Sequence, residues 1–379
     1  MEFKIDRDPF LKSISRAYSI TDKSSNMPIL STVLISTKGD SINVFATDLE
    51  ISSQENIPAE VLSEGSTAIP CKKLLEIIRE SSGDKFYIKE EENQRIFISD
   101  GNTEFKLASL PAEEFIITSE PEDLKFSTIE ASELRDMIKK TIYNLSTVED
   151  MGYKFSGIFV QKKEKGQDVF LRFVSTDGSR LSLIDKKVPG IEEMDLGEGI
   201  FVPKKGMTEI NKIAQEGGPV SIGLGNKDFI VKKENRTLII RLLDVKFPNY
   251  EGAIPKDEDI RFSIRIQKER LIEALRRMLI FTTNTYKSVI FLIKDNQIEL
   301  ISSNIEVGEA KESMEIEYEK GQLEEEEMKI AFNPRFLIDA IQPMKSDFIS
   351  MSFMGKDKAC LIRGSEDPYY LSIIMPMRI

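Results

Sequence analysis

The chain has 379 residues and a formal net charge of −12, with 40% hydrophobic residues, which is enough to bury a core. It contains no histidine, so a Ser-His-Asp triad, an imidazole base and a His-ligated metal are excluded. It also has no phosphate-binding P-loop and no complete GxGxxG turn, since GLGNKD at 223–228 lacks the third glycine.

In chain order, the elements come three times. MEFKIDRDPFLKSISRAYSI from Met1 reads as a short strand with Phe3, then a helix over 8–20. VFATDLEISS follows as a hairpin around a polar turn, and AIPCKKLLEIIRE as a strand, a proline and a helix over 71–80. The order repeats with LKFSTIEASELRDMIKKTIY from Leu124 (helix 131–145), FVSTDGSRLSL, and FVPKKGMTEINKIA (helix 204–215). It repeats again with IRFSIRIQKERLIEALRRML from Ile260 (helix 267–280), LISSNIEVGEA, and AFNPRFLIDAIQPM (helix 334–345). The prolines Pro70, Pro203 and Pro334 are spaced by 133 and 131 residues, and Thr47, Thr176 and Ser303 by 129 and 127. Three signatures in one order at one period predict an internal repeat. The expectation is an α+β chain of three domains, 1–122, 123–257 and 258–379, each with two helices and antiparallel strands. PEDLKF and IPKDEDIRF are the linkers.

Charge is unevenly spread. All six predicted helices are net basic and together carry +8, so the remainder of the chain carries −20. Lysine and arginine are good helix formers, but so is the glutamate in which this chain is rich. A basic helical face on an acidic body suits helices that line a polyanion, with the exterior repelling it. Six helices at ~9 Å spacing enclose a circle of ~17 Å and leave no hole once a ~10 Å helix width is removed. Twelve leave ~24 Å, room for a duplex ~20 Å wide, so a ring around DNA requires a closed homodimer.

The chain ends on SIIMPMRI, apolar and stiffened by proline where termini are usually frayed and polar. Such a tail either closes a core or lines a docking place. Cys71 and Cys360 are too few for a disulfide framework and fit a reducing cytoplasm. The charged N-terminus and the lack of any apolar run near ~20 residues predict no signal peptide and no membrane association.

Taken in order, PIL (28–30), ATDLE (46–50), LPAEEF (110–115), STDGSRL (175–181), VPKKG (202–206), KFPNY (246–250), FNPRFLIDAI (332–341) and IMPMRI (374–379) resemble the bacterial DNA polymerase III beta subunit family, the sliding clamps, over essentially the whole length. The resemblance implies a head-to-tail dimeric ring of six similar domains, each with two helices packed on antiparallel sheets. Such a ring encircles duplex DNA without reading sequence, has no catalytic residues, metal or cofactor, and holds the replicative polymerase on its template.

The resemblance further implies a groove for short motifs of the replicative polymerase alpha subunit, the clamp loader, repair and translesion polymerases and mismatch-repair proteins. It would use Phe155, Thr176, Gly178, Ser179, Arg180, Leu181, Pro248, Tyr286, Asn333, Phe336, Ile373, Ile374, Met375, Pro376, Met377 and Arg378. Methionines adapt to many partners, and prolines and aromatics give stiff walls. Ser179 replaces a frequent family histidine, and Gly252 and Ala253 replace an arginine and a valine, which implies a shifted motif preference. DNA contacts carried over are Lys23 (beside Ser24, where the family has an arginine), Lys72, Lys73, Tyr153, Lys154, Lys204 and Lys205. Charge periodicity adds Lys12, Arg16, Lys139, Lys140 and Lys212. The implied dimer contact sets Phe105 and Leu107, on an edge strand of the first domain, against Ile280 and Phe281 of the partner's third domain. There Glu306, Glu309 and Glu312 meet basic residues.

Asp48, Glu50 and Asp177 could pass for paired carboxylates, but their recurrence at one place in each repeat, with Asn304 in the third, favours a turn role. LEEEEM (323–328) reads as a solvated connection. Cys71 lies beside two lysines at a helix start, where its thiol pKa could be lowered; a packed cysteine is the expectation. The competing reading is a three-domain enzyme framing a cleft, which the absence of histidine and phosphate loops disfavours.

Overall fold

The computed structural model describes the chain except residues 23–25, 119, 121–123, 146–155, 284–286, 306, 324 and 379. Six α-helices lie among the described residues: α1 (Arg7–Ile20), α2 (Cys71–Glu80), α3 (Ala131–Lys139), α4 (Lys204–Ala214), α5 (Lys268–Leu279) and α6 (Pro334–Ile341). Each odd-numbered helix follows a five- or six-residue strand: Glu2–Asp6, Phe126–Glu130 and Phe262–Gln267. Each even-numbered one follows Gly65–Pro70, Ile200–Pro203 or Met328–Phe332. The prolines act as read, in two ways: Pro70 and Pro203 are N-caps, whereas Pro334 opens α6 behind Asn333, whose side chain accepts the Arg335 N–H at 3.0 Å.

Two helices are shorter than the sequence predicts. The helix expected over 131–145 stops at Lys139 and gives way to a 3-10 turn at Ile142–Asn144, and the one expected over 334–345 stops at Ile341. Within these bounds α3 (Glu133, Arg135, Asp136, Lys139) and α6 (Arg335, Asp339) carry balanced charge. The basic character of the helices is therefore a property of α1, α2, α4 and α5.

The chain divides into two compact units. The first comprises Met1–Glu130, Glu193–Asp195 and Gly218–Leu242. It holds a five-stranded antiparallel sheet in the order Glu60–Ser63, Glu2–Asp6, Lys85–Glu91, Arg95–Ser99, Glu104–Ala108. It also holds a nine-stranded sheet in which Ile51–Pro58 pairs with Arg236–Arg241, Ile51 opposite Ile240, so strands of the first and second repeats share one ladder. In α2 the buried positions Cys71, Leu74, Leu75 and Ile78 recur at helical spacing and face α1, while Lys72 and Lys73 are exposed. Phe10 of α1 meets Phe3 at 6.4 Å and Phe86 at 6.3 Å, all three fully buried.

The second unit comprises Ala131–Glu192, Leu196–Gly217 and Leu243–Ile379. Its nine-stranded sheet joins the second and third repeats where Arg180–Lys186 pairs with Tyr370–Ile374, Leu181 opposite Ile373. A four-stranded sheet runs Gly308–Glu315, Gln297–Asn304, Val289–Lys294, Met328–Phe332. Helix α3 packs on α4 and α5 on α6. Cys71 and Cys360 are both buried, and burial pushes the Cys71 thiol up to about 12; it is a packed cysteine rather than an activated one.

Candidate functional sites

Each of the first two repeats turns its hairpin with the same device. Thr47 Oγ1 accepts the Leu49 N–H (3.0 Å), and Asp48 Oδ1 accepts those of Glu50 (3.0 Å) and Ile51 (2.7 Å). Thr176 Oγ1 accepts the Gly178 N–H (3.1 Å), and Asp177 Oδ1 accepts those of Ser179 (2.9 Å) and Arg180 (3.0 Å). These aspartates shape turns, as their recurrence predicts. The third residue of each loop has positive φ, 86° at Gly178 and 75° at Leu49.

Around the second hairpin, Asp177, Tyr143, Phe336 and Asp339 converge on Arg180. Its Nε donates to Asp177 Oδ2 (2.9 Å), Nη1 to Asp339 Oδ2 (2.8 Å) and Nη2 to the Tyr143 carbonyl (2.7 Å). The guanidinium lies 4.1 Å from the centroid of the Phe336 ring and 5.3 Å from that of Tyr143. The tail is bound on both sides: the Met375 N–H donates to the Ser179 carbonyl (2.9 Å) and the Met377 N–H to that of Ala331 (2.7 Å). After the buried Ile373 and Ile374, the chain leaves the sheet with Met375, Met377 and Arg378 exposed and Pro376 half-buried. The tail thus closes a core with its isoleucines and presents a surface with its methionines. Leu181 and Ile373 join Phe201, Phe247 and Tyr250 in one apolar cluster, with Phe159 stacked on Phe247 at 4.8 Å. Thr176 is buried, Asn333 and Phe336 are half-buried, and Gly178, Ser179 and Pro248 are exposed. Phe155 and Tyr286 lie outside the described residues. Tyr143 and Asp339 were missed as supports of Arg180, although Asp339 stands three residues beyond Phe336 on α6, inside a segment singled out in the sequence.

The basic candidates divide by environment. Helices α2 and α4 carry lysines at their starts, Lys72 and Lys73 in one and Lys204 and Lys205 in the other, with no acidic residue in the first turn. A cation there opposes the helix dipole at a cost of about 0.3–1 kcal/mol, whereas an anion beside it gains both the dipole and the lysines. Lys73 reaches Glu76 (2.8 Å) and Lys204 the Leu145 carbonyl (3.4 Å). Lys12 and Lys139 are exposed, Lys212 pairs with Glu209 (2.6 Å) and Arg16 with Glu55 (2.8 Å). Lys140 is a correction: with α3 ending at Lys139, its side chain turns inward, only 3% exposed, and donates to Asp367 Oδ1 (2.5 Å) and to Asp136. Asp367 also accepts from Ser346 Oγ (2.9 Å) and the Lys345 N–H (2.7 Å). Burial alone would raise the Asp367 carboxyl, but Lys140 and these donors hold it below the usual carboxylate range. Lys23, Tyr153 and Lys154 lie outside the described residues.

Two of the sheet edges carry the residues expected at a dimer contact. Glu104–Ala108 borders the five-stranded sheet with Phe105 and Leu107 half-buried, and Gly308–Glu315 borders the four-stranded one. Beside the latter, Ile280 is 69% exposed, Val307 47%, and Phe281 is half-buried. Glu309 is exposed and Glu306 lies outside the described residues. Glu312 accepts from Arg277 of its own chain, at 2.8 and 2.6 Å.

Family models match almost the whole chain: the N-terminal domain of the DNA polymerase III beta subunit over residues 1–119, its central domain over 128–249 and its C-terminal domain over 252–378. The beta sliding clamp of Pseudomonas putida is 28% identical over 383 residues, covering 100% of both chains, and that of Haemophilus influenzae is 27% identical, again covering 100% of both. Among solved structures, the DNA polymerase sliding clamp of Caulobacter crescentus matches with a TM-score of 0.92 at 26% identity, covering 100% of each chain. A sliding clamp of Bartonella birtlesii bound to griselimycin matches at 0.91 and 26%, with the same coverage.

Proposed function

The chain belongs to the DNA polymerase III beta subunit family, and from that membership we propose that two copies close head to tail into a six-domain ring around duplex DNA. The protein is a processivity factor, a sliding clamp rather than an enzyme. Three repeats at 1–122, 123–257 and 258–379 supply the domains of each half-ring. The pairing of Glu104–Ala108 of one copy with Gly308–Glu315 of the next would cover these two edges and bury Phe105, Leu107, Ile280 and Phe281, with Glu306 and Glu309 at the rim.

Lys72 and Lys73 at the start of α2 and Lys204 and Lys205 at the start of α4 meet phosphates; the family resemblance adds Lys23, Tyr153 and Lys154. Contacts to phosphate carry no base information, so the ring slides. The observation that carries the tethering role is the tail: Met375 and Met377 are pinned by the Ser179 and Ala331 carbonyls with their side chains exposed, beside the braced Arg180. A griselimycin-bound relative supports peptide docking to this kind of protein. The occupants are short motifs of the polymerase alpha subunit, the clamp loader, repair and translesion polymerases and mismatch-repair proteins, met in the cytoplasm. Among the described residues no helix is long and apolar enough to cross a membrane.

Sedimentation tests the ring and griselimycin titration tests the groove. The ring requires a mass of twice 43.1 kDa, and the groove requires stoichiometric binding that weakens when Met375 and Met377 are replaced by serine. A monomer, or griselimycin binding indifferent to the tail, would contradict the respective part.

A further inference from the structure

A second concavity lies on the same unit as the groove, between the connection that follows Glu317–Lys320 and the hairpin that joins Phe348–Phe353 to Cys360–Gly364. Its volume is about 260 Å³, the size of one or two side chains rather than of a cofactor. Leu323, Met328 and Met354 give it an apolar wall, and Arg261, Lys356 and Lys358 stand exposed at its rim. None of these three cations forms an ion pair among the described residues, in a chain whose net charge is −12. Glu325 and Asp357 share the rim and leave it net positive by one. Met354 connects this pocket to the groove, because it also packs against the cluster containing Leu181, Phe247 and Ile373, two residues before the tail methionine Met375.

We propose that this pocket is an accessory docking site for an acidic, apolar stretch flanking the groove-binding motif of a clamp partner. An aliphatic or aromatic side chain of the stretch fills the space against Met328 and Met354, and its carboxylates meet Arg261, Lys356 and Lys358. Methionine walls accept residues of different shape, so one pocket serves several partners. The site rests on the reading of the tail as a motif groove. It differs in selecting charge: partners sharing a motif are ranked by the acidity of the stretch beside it, and that ranking fades as salt screens the rim.

The test uses the full-length protein with methyl-labelled methionines, the Met328 and Met354 signals assigned through M328L and M354L. The probe is the peptide acetyl-Glu-Leu-Phe-Glu-amide, compared with its Gln-for-Glu counterpart. The acidic peptide is expected to shift both methyl signals and to bind about 5-fold more tightly than the neutral one, as two or three exposed charge contacts imply. K356E/K358E, with both positions on the exposed hairpin, should abolish the shifts while griselimycin affinity stays within about 2-fold. Saturating griselimycin should leave the shifts in place. Equal shifts from both peptides, no shifts, displacement by griselimycin, or the same shifts from a thymidine octanucleotide would each overturn the proposal. Failure of griselimycin itself to bind would instead remove the groove reading, and the methyl signals would still report on the pocket alone.

Discussion

Asp367 shows how one buried residue can set a pH limit. Its carboxylate is 1% exposed and carries the charge of Lys140, itself 3% exposed, from the end of the second repeat's first helix to the third repeat. Asp367→Asn leaves Lys140 with Asp136 as its remaining carboxylate, so it should cost about 1.5–3 kcal/mol, read as a fall in urea midpoint. Because the folded carboxyl lies below its unfolded value of about 3.9, this contribution is complete above that pH and is lost as pH falls through the lowered folded value. Acid titration of stability should therefore show a step in the wild type that is missing in Asp367→Asn. Arg180 makes a parallel case at the groove. Arg180→Ala removes hydrogen bonds to Asp177, Asp339 and the Tyr143 carbonyl and unstacks Phe336. It should lower the thermal midpoint and weaken griselimycin binding at least about 10-fold, roughly 1.4 kcal/mol. Arg180→Lys should recover little of this, since an ammonium cannot fork between two carboxylates. An unchanged griselimycin affinity would show that the braced guanidinium is no wall of the groove.

The elements were legible wherever a local rule decides them. The strand–helix openings, the prolines before the second helices and the Thr-Asp turns each follow from side chains within a few residues, and each is found. Helix ends were not legible where a tertiary contact outbids propensity. Ile138, Ile142 and Leu145 keep helical spacing past Lys139 and could continue a helix, yet Lys140 leaves it to reach Asp367, 227 residues away. For the same reason a lysine read from charge periodicity as a DNA contact proved buried, and the uniform basic sign of the helices dissolved in α3 and α6. The ladder joining Ile51–Pro58 to Arg236–Arg241 was equally hidden, because alternation tells a strand from a helix but not its neighbour. Two predictions belong to elements. Leu107→Asp places a charge on the open strand Glu104–Ala108 and should shift the sedimentation mass from a dimer to 43.1 kDa without loss of helical signal. Lys72→Glu with Lys73→Glu at the start of α2 should lower the slope of log affinity against log salt by about 2 per copy, with equal effect on unrelated DNA sequences. A sequence-dependent loss there would mean that these lysines read bases.

For the whole molecule, the division of labour follows from net charge. A chain at −12 gains little from DNA except through local basic helix starts, so weak phosphate contacts must be made persistent by topology rather than by affinity. A closed ring does this, and it raises the local concentration of any partner held in the groove, so that short motifs suffice. The measurement that tests this most directly is release on cutting. The protein is loaded by a clamp loader onto nicked circular DNA, the circle is linearised, and the bound fraction is followed by gel filtration. The ring predicts retention on the circle at physiological salt and release once ends exist. Retention on linear DNA, or no retention on the circle, would contradict encirclement and with it the account of the basic helices.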